Sequence, residues 1–341
     1  MKNTKFTLNR ICLTLSLTAI LLTLASCSAL TSQSPSPLTR SGLYFDTYIT
    51  VSLYDTMDTT IMDEVFRICE QYDALFSPSI PNSDINRINS SSSQTITVDP
   101  ATTDLISRSL NMCEESNGDF DITVYPAYKL WDFEGGSNAL PDEEELSEAL
   151  KHIDYHNITV DFSDNSITLA DSDTQIDLGA TAKGYIADRL KDYLITHNIN
   201  SALINLGGDI ITIGSKPDGN DFLVGIKDPD EENSIIKTIT LSNKAVATSG
   251  TYERFVTVDG TRYHHILNPE TGYPYDTDVK SATVITASAT YADYLATECI
   301  ILSSGKAIEL INSLDDAEAI IITDNNDIVL SANAAEYVRM Q

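Results

Sequence analysis

The sequence predicts an α+β fold, built as one large domain of mixed and antiparallel sheets with hairpins and packed helices. Three observations lead there. Stretches with a strand period and stretches with a helix period are intermingled along the chain. Several strand pairs meet at short turn signals, which join antiparallel neighbours, rather than through helical crossovers. No fixed-period repeat and no second low-complexity linker divides residues 43–335.

The elements follow in order. "YFDTYITVSLYD" alternates Phe45, Thr47, Ile49, Val51 and Leu53 on one face of a strand. Residues 58–75 carry Met62, Val65, Phe66, Cys69 and Tyr72 at helical spacing, and 102–115 read as another helix. "ITVDFSDNSITLA" (158–170) is a hairpin turning near Asp164 and Asn165. Within 174–194 a strand ends at Leu178, Gly179 permits a tight turn, and a helix starts at about Ala180. Ala182, Ile186, Leu190 and Leu194 form its buried stripe. Residues 201–214 and 222–228 read as strands. "ERFVTVDGTRYHHIL" is a hairpin, because Asp259 and Gly260 tolerate the positive φ of a two-residue turn. A strand at 280–286 feeds a helix at 289–302, then a helix at 305–313 and two short strands.

The amino terminus carries different information. Lys2, Lys5 and Arg10 precede an apolar run over 11–24, and Leu24, Ala25 and Ser26 lead to Cys27. That pattern resembles the lipobox of bacterial lipoproteins. It predicts a signal peptide over 1–26, lipidation of Cys27, and a Ser/Thr/Pro-rich tether over 27–42. The expected location is the outer side of the cell membrane, held by the lipid anchor alone. The run is short for a transmembrane span.

Formal charge is -29, and the leader holds cations without anions, so the remainder is more acidic still. Such a surface repels nucleic acid and anionic lipid, which excludes both as expected partners. An anionic substrate requires local relief from a metal ion or backbone N–H groups. Cys69, Cys113 and Cys299 show no close spacing and read as small buried hydrophobes. No GxSxG, P-loop, HExxH or GxGxxG motif occurs, which removes the common hydrolase, NTPase, zincin and Rossmann readings.

Four stretches could carry chemistry. In "TQIDLGATAKGYIADRL" a helix start after a glycine turn offers N–H groups to a phosphate, with Lys183 in the first turn. In "TYADYLATECIIL" Asp293 and Thr297 lie four apart and share a helix face. That pair suits Mg²⁺, or is an ordinary Asp beside a hydroxyl bonded back to a carbonyl. "INLGGDI" sets paired glycines beside Asp209. "RYHHILNPETGYP" has adjacent histidines, which on a strand point to opposite faces, so one at most serves a given site.

Taken together, "FDT", "SDINRIN", "NGDFDITV" with "LWDF", "IDLGATAKGYIADRL", "INLGGDI", "ATSGTYERF", "HHILNPETGYP" and "YADYLATECIIL" resemble the ApbE family of FAD:protein FMN transferases. The likeness covers about 43–335. It implies Mg²⁺-dependent cleavage of the FAD pyrophosphate, joining of FMN to a Thr or Ser of an acceptor protein by a phosphoester, and release of AMP. Implied acceptors are extracytoplasmic electron-transfer subunits and FMN-bearing surface proteins. By position, the resemblance makes Asp177 and Lys183 FAD contacts, Asp119, Phe120 and Asp121 a flavin-contacting segment, and Leu267 a backbone contact. It makes Ala180, through its carbonyl oxygen, Asp293 and Thr297 the metal ligands. The family's recurrent histidine falls on His265, a candidate general base. His264 is then left to packing or a supporting hydrogen bond; alternatively both histidines only orient the loop. Two departures touch the flavin side: Phe45, Asp46 and Thr47 replace the family's Met-Gly-Thr, and a recurrent tyrosine is replaced near Ser79. Gly179, Ala180 and Thr181 resemble the family's acceptor motif by coincidence. An FAD pyrophosphatase and a non-catalytic flavin-binding lipoprotein remain open alternatives.

Overall fold

A computed structural model describes residues 36–91, 95–133, 139–231 and 233–339. The leader, Cys27 and most of the expected tether lie outside the described residues. The chain from Pro37 onward forms one unit.

Eight antiparallel strands make the central sheet. They are β1 (Leu38–Tyr44), β2 (Thr47–Leu53), β6 (Ala202–Leu206), β7 (Asp209–Ile213), β10 (Ala245–Gly250), β13 (Val279–Thr286), β14 (Ala317–Thr323) and β15 (Ile328–Leu330), in that spatial order. β1 begins inside the stretch expected to be tether, and pairs with β2 throughout its length. Phe45 and Asp46 form the turn between them, both at positive φ (54° and 55°), and the Phe45 N–H is held by Asp73 Oδ1 at 3.1 Å. Phe45 therefore belongs to the turn, while Ile49, Val51 and Leu53 are buried as the alternation predicts.

The two sheet faces have different covers. Helices α6 (Ala182–Thr196) and α7 (Ala289–Ser313) lie on one: α7 against β10, β13 and β14, and α6 against β6 and β7. The expected stripe of α6 is buried. α7 is interrupted at Ser303 (φ 63°), which separates the two helices read from the sequence. α1 (Thr59–Phe76), α2 (Asp84–Ser90) and α3 (Pro100–Glu115) extend this layer. Across the sheet, Val246, Ile285, Ile320 and Ile322 meet Val224, Ile226, Ile239 and Leu241 of the hairpin β8 (Phe222–Lys227) and β9 (Ile235–Leu241). Period-two alternation thus feeds two cores from one sheet.

Between strand Thr95–Thr97, β3, and hairpin Ile158–Asp161 with Ser166–Leu169, β4 and β5, a small sheet forms; Asn165 at φ 53° makes the turn. A third core holds the hairpin β11 (Phe255–Val258) and β12 (Thr261–His264). Trp131 of α4 (Tyr125–Trp131), Leu146 of α5 (Glu143–Ala149), Val256 and Leu267 pack together, and Trp131 Nε1 donates to the Gly272 carbonyl at 2.7 Å. Asp259 and Gly260 take positive φ in the hairpin turn, as expected.

One expected element is different. Residues 174–178 form no strand. Asn89 substitutes for a strand partner: its Oδ1 accepts from Ile176 N at 2.7 Å and its Nδ2 donates to Ile176 O at 2.8 Å. Asp177 N donates to Ile122 O at 2.9 Å. The backbone is satisfied without a ladder.

Candidate active site

The helix α6 begins two residues later than expected, at Ala182. Gly179 N donates to Asp177 Oδ1 at 2.5 Å, and Leu178 O accepts from Thr181 N (3.0 Å) and Ala182 N (2.8 Å). The turn therefore uses N–H groups that the sequence pattern left free for a phosphate. Thr181 is fully buried and hydrogen-bonds Ser109 Oγ at 3.0 Å, so its hydroxyl serves the helix packing.

Lys183 carries the local positive charge. Its Nζ lies 3.1 Å from Asp209 Oδ2, 3.4 Å from each oxygen of Asp293, and 3.2 Å from the Gly179 carbonyl. Burial alone would lower the lysine; the Asp209 and Asp293 carboxylates more than offset it and hold its pKa above the ordinary range. Burial, then the Asp293 charge, pushes the Asp209 carboxyl well above the usual range, with Lys183 opposing. Asp209 heads β7 after Gly207 and Gly208, both at positive φ, and a Cβ on Gly207 would meet Thr47 Oγ1 at 2.4 Å. The "FDT" and "GGD" turns are thus in contact.

Two helices are locked together at this point. A Cβ on Gly184 would meet the Ala289 carbonyl oxygen at 2.2 Å, and Gly184 N donates to Asp293 Oδ2 at 3.2 Å. Asp188 of α6 caps the start of α7, accepting from Ser288 Oγ, Ala289 N, Thr290 N and Thr290 Oγ1 at 2.7–3.0 Å. Asp293 and Thr297, both buried, share a face of α7 as predicted. Thr297 Oγ1 makes a long bond to Asp293 O (3.4 Å) and a shorter one to Ser249 Oγ (3.1 Å).

The donors here fit a hard cation. Asp293 and Thr297 offer oxygens only, and the 179–180 turn that carries Ala180 is close enough that one Lys183 Nζ touches both Gly179 O and Asp293. Elsewhere, His152, Asp171 and Asp173 present ligand atoms within 4.8 Å of one another, but His152 Nδ1 is already paired with Asp171 Oδ2 at 2.7 Å.

The adjacent histidines part at the end of β12: His264 is its last residue, and His265 lies just beyond it. His264 is buried, with Nε2 on the Tyr275 carbonyl (3.0 Å) and Nδ1 accepting from Ile266 N (3.3 Å), so both ring nitrogens are engaged. His265 uses Nδ1 alone, donating to the Arg254 carbonyl at 3.2 Å, which leaves the lone pair on Nε2. Burial, then the Arg254 charge, lowers the His265 pKa to about 4.

The 119–121 segment divides its tasks. Asp119 is exposed, and its carbonyl accepts from Tyr275 Oη at 2.8 Å. Phe120 packs edge-on against Tyr294, centroids 5.2 Å apart. Asp121 is buried, its carboxylate accepting from Thr123 N, Thr123 Oγ1 and Tyr155 N, so its side chain shapes the turn. Leu267 is buried and bridges to Pro274. Asp177 and Ala180 are partly exposed.

Sequence reasoning did not single out Asp188, Ser249 or Glu298, and it left Asp209 without a role. Glu298 is buried, Oε2 has no hydrogen-bond partner, and burial, followed by the Asp119 charge, pushes its carboxyl up to about 8. It lies five residues after Asp293, off the face that Asp293 and Thr297 share, so helical spacing gave no signal for it.

Residues 45–321 match the ApbE family model. The chain is 32% identical over 296 residues to a Klebsiella pneumoniae protein named FAD:protein FMN transferase, covering 86% of this chain and 91% of that one. A Treponema pallidum protein of the same name is also 32% identical, with 82% and 81% covered. The crystal structure of the ApbE protein of Thermotoga maritima superposes with a TM-score of 0.80 at 32% identity, covering 89% of this chain and all of that one. The flavin transferase ApbE of Vibrio cholerae gives 0.79 at 25% identity, covering 89% and 100%. With its antiparallel sheet, its two locked helices and its match over most of its length, the chain belongs to the ApbE family.

Proposed function

We propose that the chain is an FAD:protein FMN transferase that uses Mg²⁺ to move FMN from FAD to a Thr or Ser side chain of an acceptor protein, with release of AMP. The observation that carries this reading is the convergence of Lys183, Asp293, Thr297 and the 179–180 turn at the junction of α6 and α7. Family membership and the names of the relatives support the substrate and the protein acceptor.

Asp293, Thr297 and the Ala180 carbonyl would hold the Mg²⁺. When bound, the ion neutralises diphosphate charge in a strongly acidic protein and stabilises charge on the departing phosphate. Lys183, in the first turn of α6, supplies a second positive charge to the diphosphate. By family position, Asp119, Phe120 and Asp177, with Leu267 through its backbone, would contact the dinucleotide. The His265 ring is neutral at ordinary pH, and the Arg254 carbonyl fixes its tautomer. Its Nε2 accepts the acceptor hydroxyl proton as the oxygen attacks the FMN phosphorus. The bond from that phosphorus to the AMP oxygen breaks, and AMP leaves.

The reading extends to location. The lipobox pattern supports attachment through Cys27 on the extracytoplasmic face, where flavin electron-transfer subunits and surface flavoproteins would be acceptors. Among the described residues no helix is long and apolar enough to cross a membrane. The test is incubation of the full chain with FAD, Mg²⁺ and a candidate acceptor. Flavin fluorescence on the acceptor band in a denaturing gel, matched by AMP and abolished by chelation, is expected. AMP and FMN without labelled protein would instead mean hydrolysis, and FAD binding without turnover would mean flavin capture.

A further inference from the structure

Both oxygens of Asp293 are engaged on the α6 side. Lys183 Nζ lies 3.4 Å from each, and Gly184 N donates to Oδ2. A divalent ion on the same carboxylate needs lone pairs that now face an ammonium, and the two cations would stand within a few ångströms. Coulomb repulsion at that range in a buried setting is too large for both to keep Asp293 unchanged. The ammonium has a second partner: Asp209 Oδ2, 3.1 Å away, is buried and meets no hydrogen-bond donor of good geometry. Pairing of β7 with β6 fixes the backbone from which the Asp209 carboxylate reaches the ammonium.

From this geometry we infer that Lys183 and the divalent ion compete for Asp293, and that Asp209 is the positioning residue that retains the ammonium when the ion takes Asp293. The inference rests on the metal-dependent reading above and adds an order of events to it. Lys183 is the counter-ion of the Asp209 and Asp293 pair until metal arrives. Metal entry then frees Nζ from Asp293, and rotation on Asp209 turns it toward the incoming diphosphate. Without the lysine, two buried carboxylates would face each other without a counter-charge, which explains why the chain places its cation here rather than at the rim.

The competition predicts a sign opposite to that of a simple substrate contact. Mn²⁺ binding to the full-length protein, measured by calorimetry without FAD, should be about tenfold tighter or more in Lys183→Met and Lys183→Gln, because a competing cation a few ångströms away is removed. Lys183→Arg, which keeps the charge, should show no such gain. The same Met and Gln variants should bind FAD more weakly. Two neutral variants guard against one that fails to fold, and thermal melts identify it. A third arm needs no variant: in crystals of the wild type soaked with Mn²⁺, Nζ should leave Asp293 and remain on Asp209. Equal or weaker Mn²⁺ affinity in the folded neutral variants, or Mn²⁺ on Asp293 with Nζ still bonded to it, overturns the inference while leaving the proposed function standing. A wild type that binds no Mn²⁺, with or without FAD, overturns both.

Discussion

The two histidines differ by one position and by everything their nitrogens do. Spacing alone could say only that they face apart; the family pattern pointed to His265. The structure adds an independent reason, since His264 has both nitrogens committed and His265 has one free. Replacing His265 with Gln should lower the flavin-transfer rate by about 100-fold or more while leaving FAD affinity near the wild-type value, checked by single-turnover kinetics and fluorescence titration. Its lowered pKa of about 4 also sets a sign. The neutral base is fully present from about pH 5 upward, so the rate should show no His265 titration near the ordinary histidine value of about 6.5. Asp209 was less legible, because what marks it is its approach to Lys183 on the helix that packs over β7, and no local spacing encodes that. The paired glycines before it were the available trace.

At the scale of elements, turn chemistry was the most readable feature. Asp259 with Gly260 and the hairpin at Asn165 formed where their residues demand positive φ. The strand expected to end at Leu178 did not form, because its donors and acceptors go to the Asn89 side chain and to Ile122, partners distant in sequence. The seven-residue helices α2, α4 and α5 span two turns and are too short to print a clear period. The junction of α6 and α7 is the element contact on which the site depends. A Gly184→Ala change would force a methyl onto the Ala289 carbonyl and should cost about 1–3 kcal/mol while spreading the two helices, with Mg²⁺ affinity falling in parallel. Asp188→Ala removes the acceptor for Ala289 N and Thr290 N at the start of α7, leaving only the Ser288 cap, and should cost about 1–2 kcal/mol. Urea unfolding measures both.

At the scale of the whole molecule, buried carboxyls set the response to pH, and Glu298, raised first by burial and then by the Asp119 charge, is a clear case. Its folded pKa of about 8 lies above the unfolded value. Its contribution to stability is therefore complete below the unfolded carboxylate range, about pH 4.3, and is lost as pH rises through 8. Glu298→Gln should match the wild type near pH 4 and exceed it above pH 8 by a few kcal/mol, at about 1.4 kcal/mol per tenfold in proton affinity, as read from unfolding curves at the two pH values. Equal pH dependence in both proteins would contradict this. The sheet order was not readable, since pairing β2 with β6 and β10 with β13 depends on contacts far apart in sequence. The α+β class was, because class follows from local period and turns.

In the proposed reaction a divalent cation held by Asp293, Thr297 and the Ala180 carbonyl works on the FAD diphosphate. Crystals of the full chain grown with FAD and Mn²⁺ should then give, by anomalous diffraction, a single strong peak in contact with the Asp293 carboxylate, the Thr297 hydroxyl and a diphosphate oxygen. A peak on His152, Asp171 and Asp173 instead, or none beside the diphosphate, would contradict it.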